Sequence, residues 1–365
     1  MFSHIDSPIL EKAKLYLSQK VRTLANEIDV SSVELSKALK GLGDLKLLNF
    51  YLPHFFKEIE VSGEIFADFQ ELVASYSGAL AFLQTQHQSA VRMVVSSANT
   101  QLKKKYLPQI RNNKCFLGVG FSQLRRTGKP IITALPISGG YKLDGFVPWI
   151  TGYGIFSEFI VAAILPNRGS VFGIIPFRET KQSTGGMIKF SQPAKLAAMT
   201  STNTVSSNIS GYCLPVEQVI FTKTAGWMND NDKSNILSAS FLATGCAIAG
   251  LNIIAASSQQ KSLPFITDSF VFLHQELANC RAAIRKAQKN SQTEFSEKMH
   301  LRSWAIELAN RISHAAVVVS GGAANYSHHN AQRIYREALV FTVTGQTTAI
   351  MAATLTRLVM KEVKE

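Results

Sequence analysis

The chain reads as an α+β protein in which helices come first, strands second and helices again last, and two observations carry that reading. Apolar residues recur at helical spacing from Ser7 to about Asn112, alternate between about Lys114 and Thr222, and return to helical spacing after about Asp230. Composition supplies the second. Of 365 residues, 46% are hydrophobic and 17% charged, enough to fill a sizeable core, and no Pro-, Gly-, Ser- or Gln-rich run is long enough to act as a disordered linker. The expected organisation is a helical domain over 1–112, a β domain over 113–222 and a four-helix bundle over 223–365.

In the first part the helical stretches are "ILEKAKLYLSQKVRTLANEI", "SSVELSKALKGLGDLKLLNF" and "FADFQELVASYSGALAFLQTQHQSAVRMVVSSA", punctuated by Pro53 and Ser62-Gly63. "SSANTQLKKKYLPQI" supplies a polar turn and a last short helix. In the middle, "CFLGVGFSQ", "PIITALPISGGYKLDGFVPWITG", "EFIVAAILP", "SVFGIIPF", "MIKFSQP" and "TVSSNISGYCLP" are short, β-branched and bounded by Gly, Pro and Asn. Gly139-Gly140 is able to turn one strand piece into the next. The last part predicts four long helices, the fourth running unbroken through "AQRIYREALVFTVTGQTTAIMAATLTRLVMKEV".

A formal charge of +13 raises the question of nucleic acid. The basic residues are scattered pairs with one short run, Lys103-Lys104-Lys105, and match no zinc-finger, RNA-binding or basic-zipper pattern, so a polyanionic small molecule accounts for the charge instead. Cys115, Cys213, Cys246 and Cys280 are far apart and read as reduced, mostly buried thiols. The N-terminus lacks a signal-peptide pattern, and the runs "SEFIVAAILP" and "HAAVVVS" fall short of a membrane helix. A cytoplasmic protein with neither membrane nor nucleic-acid partner is the expectation.

Two motifs carry chemistry. "FVPWITGYG" puts an indole beside small hydrogen-bonding groups at a strand end, which suits stacking on a planar cofactor and equally suits a core Trp in a turn. "VVVSGGAANYSHHNAQRIYRE" ends an apolar helix with Gly321-Gly322, where a diphosphate can come close or where glycine caps the helix before a new one begins near Ser327 or Asn330. His328-His329 has no acidic or Cys neighbours at useful spacing, and no metal site is expected.

Taken together, "LKKKYLPQI", "WITG", "LPVEQVI" and "GGAANY...R..RE" in this order resemble the acyl-CoA dehydrogenase superfamily over essentially the whole chain, whose middle domain is β-barrel-like. The resemblance implies FAD as cofactor, with Trp149, Ile150 and Thr151 walling the flavin. It further implies Gly321 and Gly322 at the diphosphate across a subunit boundary, followed by Arg333 and Arg336, and Gln346 and Thr347 near the ADP or dimethylbenzene side. A homodimer or homotetramer, an acyl thioester or related small-molecule substrate, and an electron-transfer or reductase partner come with it.

The family's catalytic Glu, some eight residues after the Arg336-Glu337-Ala338 triplet, corresponds to Gly345 here, which cannot remove a proton. An alternative base position, ten residues before Ala249-Gly250-Leu251, is Ser240. The flavin- and substrate-binding loop is replaced by "FSQLRRTGKP", leaving Ser122 and Gln123, and the Arg of the FAD clamp is replaced by a segment in which Lys261 alone supplies charge. An acyl-CoA dehydrogenase-like oxidoreductase is the first expectation. A flavin monooxygenase of the same superfamily is the second, with His87 as hydrogen-bond donor over the flavin and Ser122 beside it, unless His87 is an ordinary helix histidine. A flavin-free binding or assembly protein on the same fold is the third.

Overall fold

The computed structural model describes residues 7–53 and 61–359, so the last residues assigned to the final helix lie outside the described residues. Helix α1 (Pro8–Tyr16) passes through a π turn at Leu17–Val21 and a short 3-10 turn at Arg22–Leu24 into α2 (Ala25–Val30). The sequence predicts one helix here. Its core residues Ala13, Leu17, Val21 and Ala25 are each four apart and all buried, and a regular helix would rotate each about 40° from the one before. The wider π turn takes up that drift and keeps the four on one face.

Helices α3 (Ser32–Asp44), α4 (Gly63–Ala74), α5 (Gly78–Ser96) and α6 (Thr100–Arg111) complete the first part. Each starts where a short polar side chain accepts from a first-turn amide: Ser31 from Glu34, Ser62 from Ile65, Ser77 from Leu80 and Asn99 from Leu102. These caps explain why the helices begin where they do, and the one at Ser77 divides into α4 and α5 what the sequence predicts as a single helical stretch.

The strands are β1 (Leu117–Gly120), β2 (Ile132–Ile137), β3 (Gly140–Ile150), β4 (Glu158–Ile164), β5 (Ser170–Pro176), β6 (Thr180–Lys181), β7 (Met187–Phe190), β8 (Val205–Pro215) and β9 (Val219–Lys223). They form one sheet in the order β6-β7-β8-β3-β2-β4-β5-β9, with β1 parallel to β4. The β2–β3 hairpin turns at Gly139, whose φ of 78° is left-handed, and pairs Ile137 with Gly140. Long β3 and β8 pair antiparallel with register shifts between Leu143 and Gly145 and between Val147 and Ile150. The second shift re-aims the chain just before Thr151.

After α7 (Trp227–Ser234) come α8 (Ser240–Lys261), α9 (Pro264–Lys289), α10 (Phe295–Ser320), α11 (Asn330–Val343) and α12 (Thr348–Val359). The fourth helix of the sequence reading is therefore two. Thr344 leaves the helical region with ψ 119° and Gly345 follows at φ 60°, a conformation that ends a helix. Helix α8 is long and apolar enough to cross a membrane by length and composition, a stretch the sequence reading did not single out. It is instead packed against α4, α9, α10 and α11. At Gly245 a Cβ would lie 2.4 Å from the Glu71 carbonyl oxygen, so only glycine lets α8 approach α4 this closely. One continuous core runs from Ile9 of α1 through the sheet to Ile350 of α12, and a second sits between α5, α6 and the β4–β5–β9 edge.

Candidate functional site

Trp149 stands near the end of β3 with its side chain 48% exposed, while its neighbours Ile150 and Thr151 are buried. The irregularity in the β3–β8 register between Val147 and Ile150 does this: regular alternation would put Val147 and Trp149 on one face, and the shift lets Val147 turn into the core while Trp149 turns out. An indole half exposed on a strand leaves part of its ring surface free.

Thr151 belongs to a directional chain of hydroxyls. Thr202 donates to the Met199 carbonyl at 2.7 Å, so its oxygen accepts from Thr204 at 3.3 Å, and Thr204 in turn accepts from Thr151 at 3.0 Å. Each hydroxyl has a single proton. Thr151 has therefore committed its own and can offer a ligand only an acceptor.

His87 on α5 is buried, and its Nδ1 accepts from the Leu117 amide at 3.1 Å, which leaves the ring proton on Nε2. Burial pushes its pKa down to about 4, against a smaller opposing effect of that hydrogen bond, and the ring is neutral at physiological pH. It packs edge-on to Phe116 and near Phe156. Ser122 opens a short 3-10 turn just beyond the other end of β1. Three strand steps of ~3.3 Å separate the two ends of that strand, so His87 and Ser122 are not side by side. Gln123 turns inward and donates to the carbonyls of Gly120 and Ala162 at 3.2 and 3.0 Å.

The turn that begins at Ser122 continues to Arg125, which clasps Asp232 of α7 through two hydrogen bonds of 2.7 and 2.8 Å. Near it lies Arg302, the residue the sequence reading missed. Its side chain is buried on α10 and donates from Nη1 to the Ile236 carbonyl at 3.0 Å and from Nη2 to the carbonyls of Thr344 and Gly345 at 2.6 and 3.0 Å. The two segments that the family resemblance marks as base positions, just before Ser240 and at Gly345, are thus both tied to one guanidinium. Burial draws its pKa down to about 10; Asp232 opposes the shift and Arg125 reinforces it. A signal was present in "HLRSWAIELA": Arg302 falls at helical spacing with the buried Ala305, Ile306 and Ala309, inside the apolar stripe.

Gly321 and Gly322 lie at the C-terminal end of α10, beside α10 and α11, and both are exposed. A Cβ at either would meet nothing, which leaves room for a ligand, and Gly321 has φ 62°. Lys261 from the end of α8 donates to the Val319 carbonyl at 2.5 Å, bringing its ammonium to this glycine turn. Gln346 and Thr347 occupy the α11–α12 connection, where the Thr347 hydroxyl accepts from the Ile350 amide at 3.3 Å and caps α12. His329 likewise caps α11, its Nδ1 accepting from Ala331 at 3.2 Å.

Glu337 does not face this region. It is fully buried, accepts from Arg333 at 2.6 Å and from the Gly78 amide at 3.1 Å, and joins α11 to the start of α5. Arg336 reaches Asp29 at 3.1 Å and the Ala197 carbonyl at 2.6 Å. Both arginines of the late motif thus serve contacts within the chain.

No family model matches the sequence, and no curated protein does. Solved structures do match. Butyryl-CoA dehydrogenase from Megasphaera elsdenii superposes with a TM-score of 0.80 at 17% identity, covering 96% of this chain and 97% of that one. An acyl-CoA dehydrogenase from Geobacillus kaustophilus gives 0.80 at 13% identity over 96% and 97%. A glutaryl-CoA dehydrogenase from Mycobacterium smegmatis, in complex with FADH2, gives 0.81 at 11% identity over 98% and 95%. Over nearly its whole length, the chain has the acyl-CoA dehydrogenase fold.

Proposed function

We propose that the protein is an FAD-dependent oxidoreductase acting on an acyl thioester or related small organic substrate, working as a homo-oligomer with an electron-transfer or reductase partner. The observation that carries this is Trp149, an indole held 48% exposed at the end of a strand beside buried Thr151, on a fold shared with a structure that contains FADH2. When bound, the flavin supplies two-electron redox chemistry.

The residues present fit such a group. Trp149 and Ile150 would wall its ring system, and Thr151 would accept a hydrogen bond from it. Gly321 and Gly322 leave open space for a diphosphate, with the Lys261 ammonium at their turn as counter-charge. Gln346 and Thr347 would complete the site from the α11–α12 connection. His87 holds a proton on Nε2 without carrying charge, and so donates a hydrogen bond rather than acting as an acid.

A second reading is favoured by one observation. At Gly345 there is no carboxylate, and the nearest side-chain atom to its would-be Cβ is the Nη2 of Arg302, at 3.5 Å. A guanidinium cannot serve as the base that a carboxylate would be, and monooxygenase chemistry of the same superfamily needs none.

The test is the absorbance of the purified protein between about 350 and 500 nm, before and after addition of FAD and desalting. A retained flavin spectrum supports the oxidoreductase. A protein that cannot hold FAD overturns it in favour of a flavin-free binding role. Reoxidation of the reduced holoprotein by oxygen, followed against an artificial acceptor, then separates the two readings.

A further inference from the structure

Among the described residues, Arg302 is a buried cation with no carboxylate in hydrogen-bonding contact. The carboxylate that acts on it, Asp232, is already clasped at both oxygens by Arg125. Its own partners are three backbone carbonyls, and its Nε is buried with no hydrogen-bond partner. A guanidinium removed from water without a counter-charge is costly, and an unpaired buried donor adds to that cost. A second buried group nearby in the chain is also unsatisfied: the hydroxyl of Ser240, four residues after Ile236, has no partner. Access exists on one side. Gly345 is exposed, and within 4 Å the space a side chain there would fill meets only Arg302 Nη2.

We propose that Arg302 is an anion-recognition group, and that a carboxylate borne by the substrate enters beside Gly345 and pairs with its guanidinium. Nη2 already donates to the Thr344 and Gly345 carbonyls, so the carboxylate accepts from the unpartnered Nε–H and is otherwise held by the guanidinium charge, which Arg rather than Lys keeps in a buried site. Assignment of the anion to a substrate rests on the flavoprotein reading; the binding itself does not. Where a carboxylate base would stand in a dehydrogenase of this fold, this chain would instead receive its carboxylate from outside.

The experiment is thermal unfolding of the full chain in millimolar acetate against chloride at equal ionic strength, with flavin content read by absorbance in the same samples. Acetate should raise the Tm of the wild type by ~2 °C or more over chloride, as any ligand of the native state does. Replacing Arg302 removes three carbonyl contacts and risks the fold, so the informative variants are at Gly345. Gly345→Glu supplies an intramolecular carboxylate, and the acetate response should disappear; Gly345→Ala, which shares the backbone strain, should keep it. A wild type indifferent to acetate overturns the proposal, and so does a Gly345→Glu variant that responds as the wild type does. An acetate response in protein that cannot hold FAD sinks the oxidoreductase reading alone, and bound flavin with no acetate response sinks this one alone.

Discussion

Glu71, fully buried on α4, accepts two hydrogen bonds from Arg281 of α9 at 2.8 and 2.6 Å, and a third from Arg285 at 2.7 Å. Asp68 one turn earlier pairs with the same Arg285. This cluster bolts the first helical part to the bundle, and removing one member leaves charge stranded in the interior. Glu71→Gln should destabilise the protein by ~3–5 kcal/mol, measured as a fall in the denaturant midpoint at unchanged slope.

The same cluster makes a pH prediction. Burial alone raises the Glu71 pKa, but the Arg281 hydrogen bonds and the charges of Arg281 and Arg285 outweigh it and hold the carboxyl below its ordinary value of 4.5. A lowered folded pKa means the contribution is complete above about pH 4.5 and is lost as the pH falls through the folded value. Acid unfolding should therefore be less steep in Glu71→Gln than in the wild type.

His87 contributes at a higher pH. Its folded pKa of about 4 lies below the ordinary 6.5, so the unfolded chain binds a proton that the folded one refuses, and stability falls as pH drops from 6.5 towards 4. The expected slope is roughly 1.4 kcal/mol per pH unit from this residue alone. His87→Phe should flatten that segment of the stability profile while costing ~1–3 kcal/mol at neutral pH, because the Leu117 amide loses its acceptor.

Trp149→Ala should leave thermal stability within ~0.5 kcal/mol of the wild type, since the side chain is half in solvent. Flavin retained after desalting should fall sharply. Unchanged flavin content would remove Trp149 from the site.

Gly345→Glu should not create acyl-CoA dehydrogenation. The new carboxylate would stand against Arg302, whose Nη2 is 3.5 Å from the would-be Cβ, and an ion-paired carboxylate is a weak base. Dye reduction by acyl-CoA substrates at the wild-type level checks this, and a gain would show that the carboxylate escapes the guanidinium.

Gly245→Ala tests packing rather than chemistry. Its Cβ would sit 2.4 Å from the Glu71 carbonyl oxygen and 2.6 Å from the Ala74 Cβ, two atoms that cannot swing aside. A loss of ~1–3 kcal/mol is expected from overpacking, read by thermal or chemical unfolding.

Much of this molecule was legible in one dimension. Apolar spacing separated helix from strand, because period 3.6 and period 2 each place side chains on one face of a regular backbone. Ser62-Gly63 and the polar turn before α6 marked helix starts through bonds that span three residues, and Gly139 marked a turn for the same local reason, whereas the break capped by Ser77 went unread inside one apolar stretch. What a residue does within about one turn of itself is written in its neighbours.

Tertiary structure decided the rest. Whether the chain continued or broke at Gly345, and that Arg302 stands where a base might have been looked for, depends on α10 meeting the α11–α12 connection some forty residues later. Likewise, only folding placed Glu71 beside Arg281, turned Glu337 towards Gly78, and put His87 and Ser122 at opposite ends of β1. Hydrogen bonds and charges act over a few ångströms of space, and sequence distance does not encode which segments come that close.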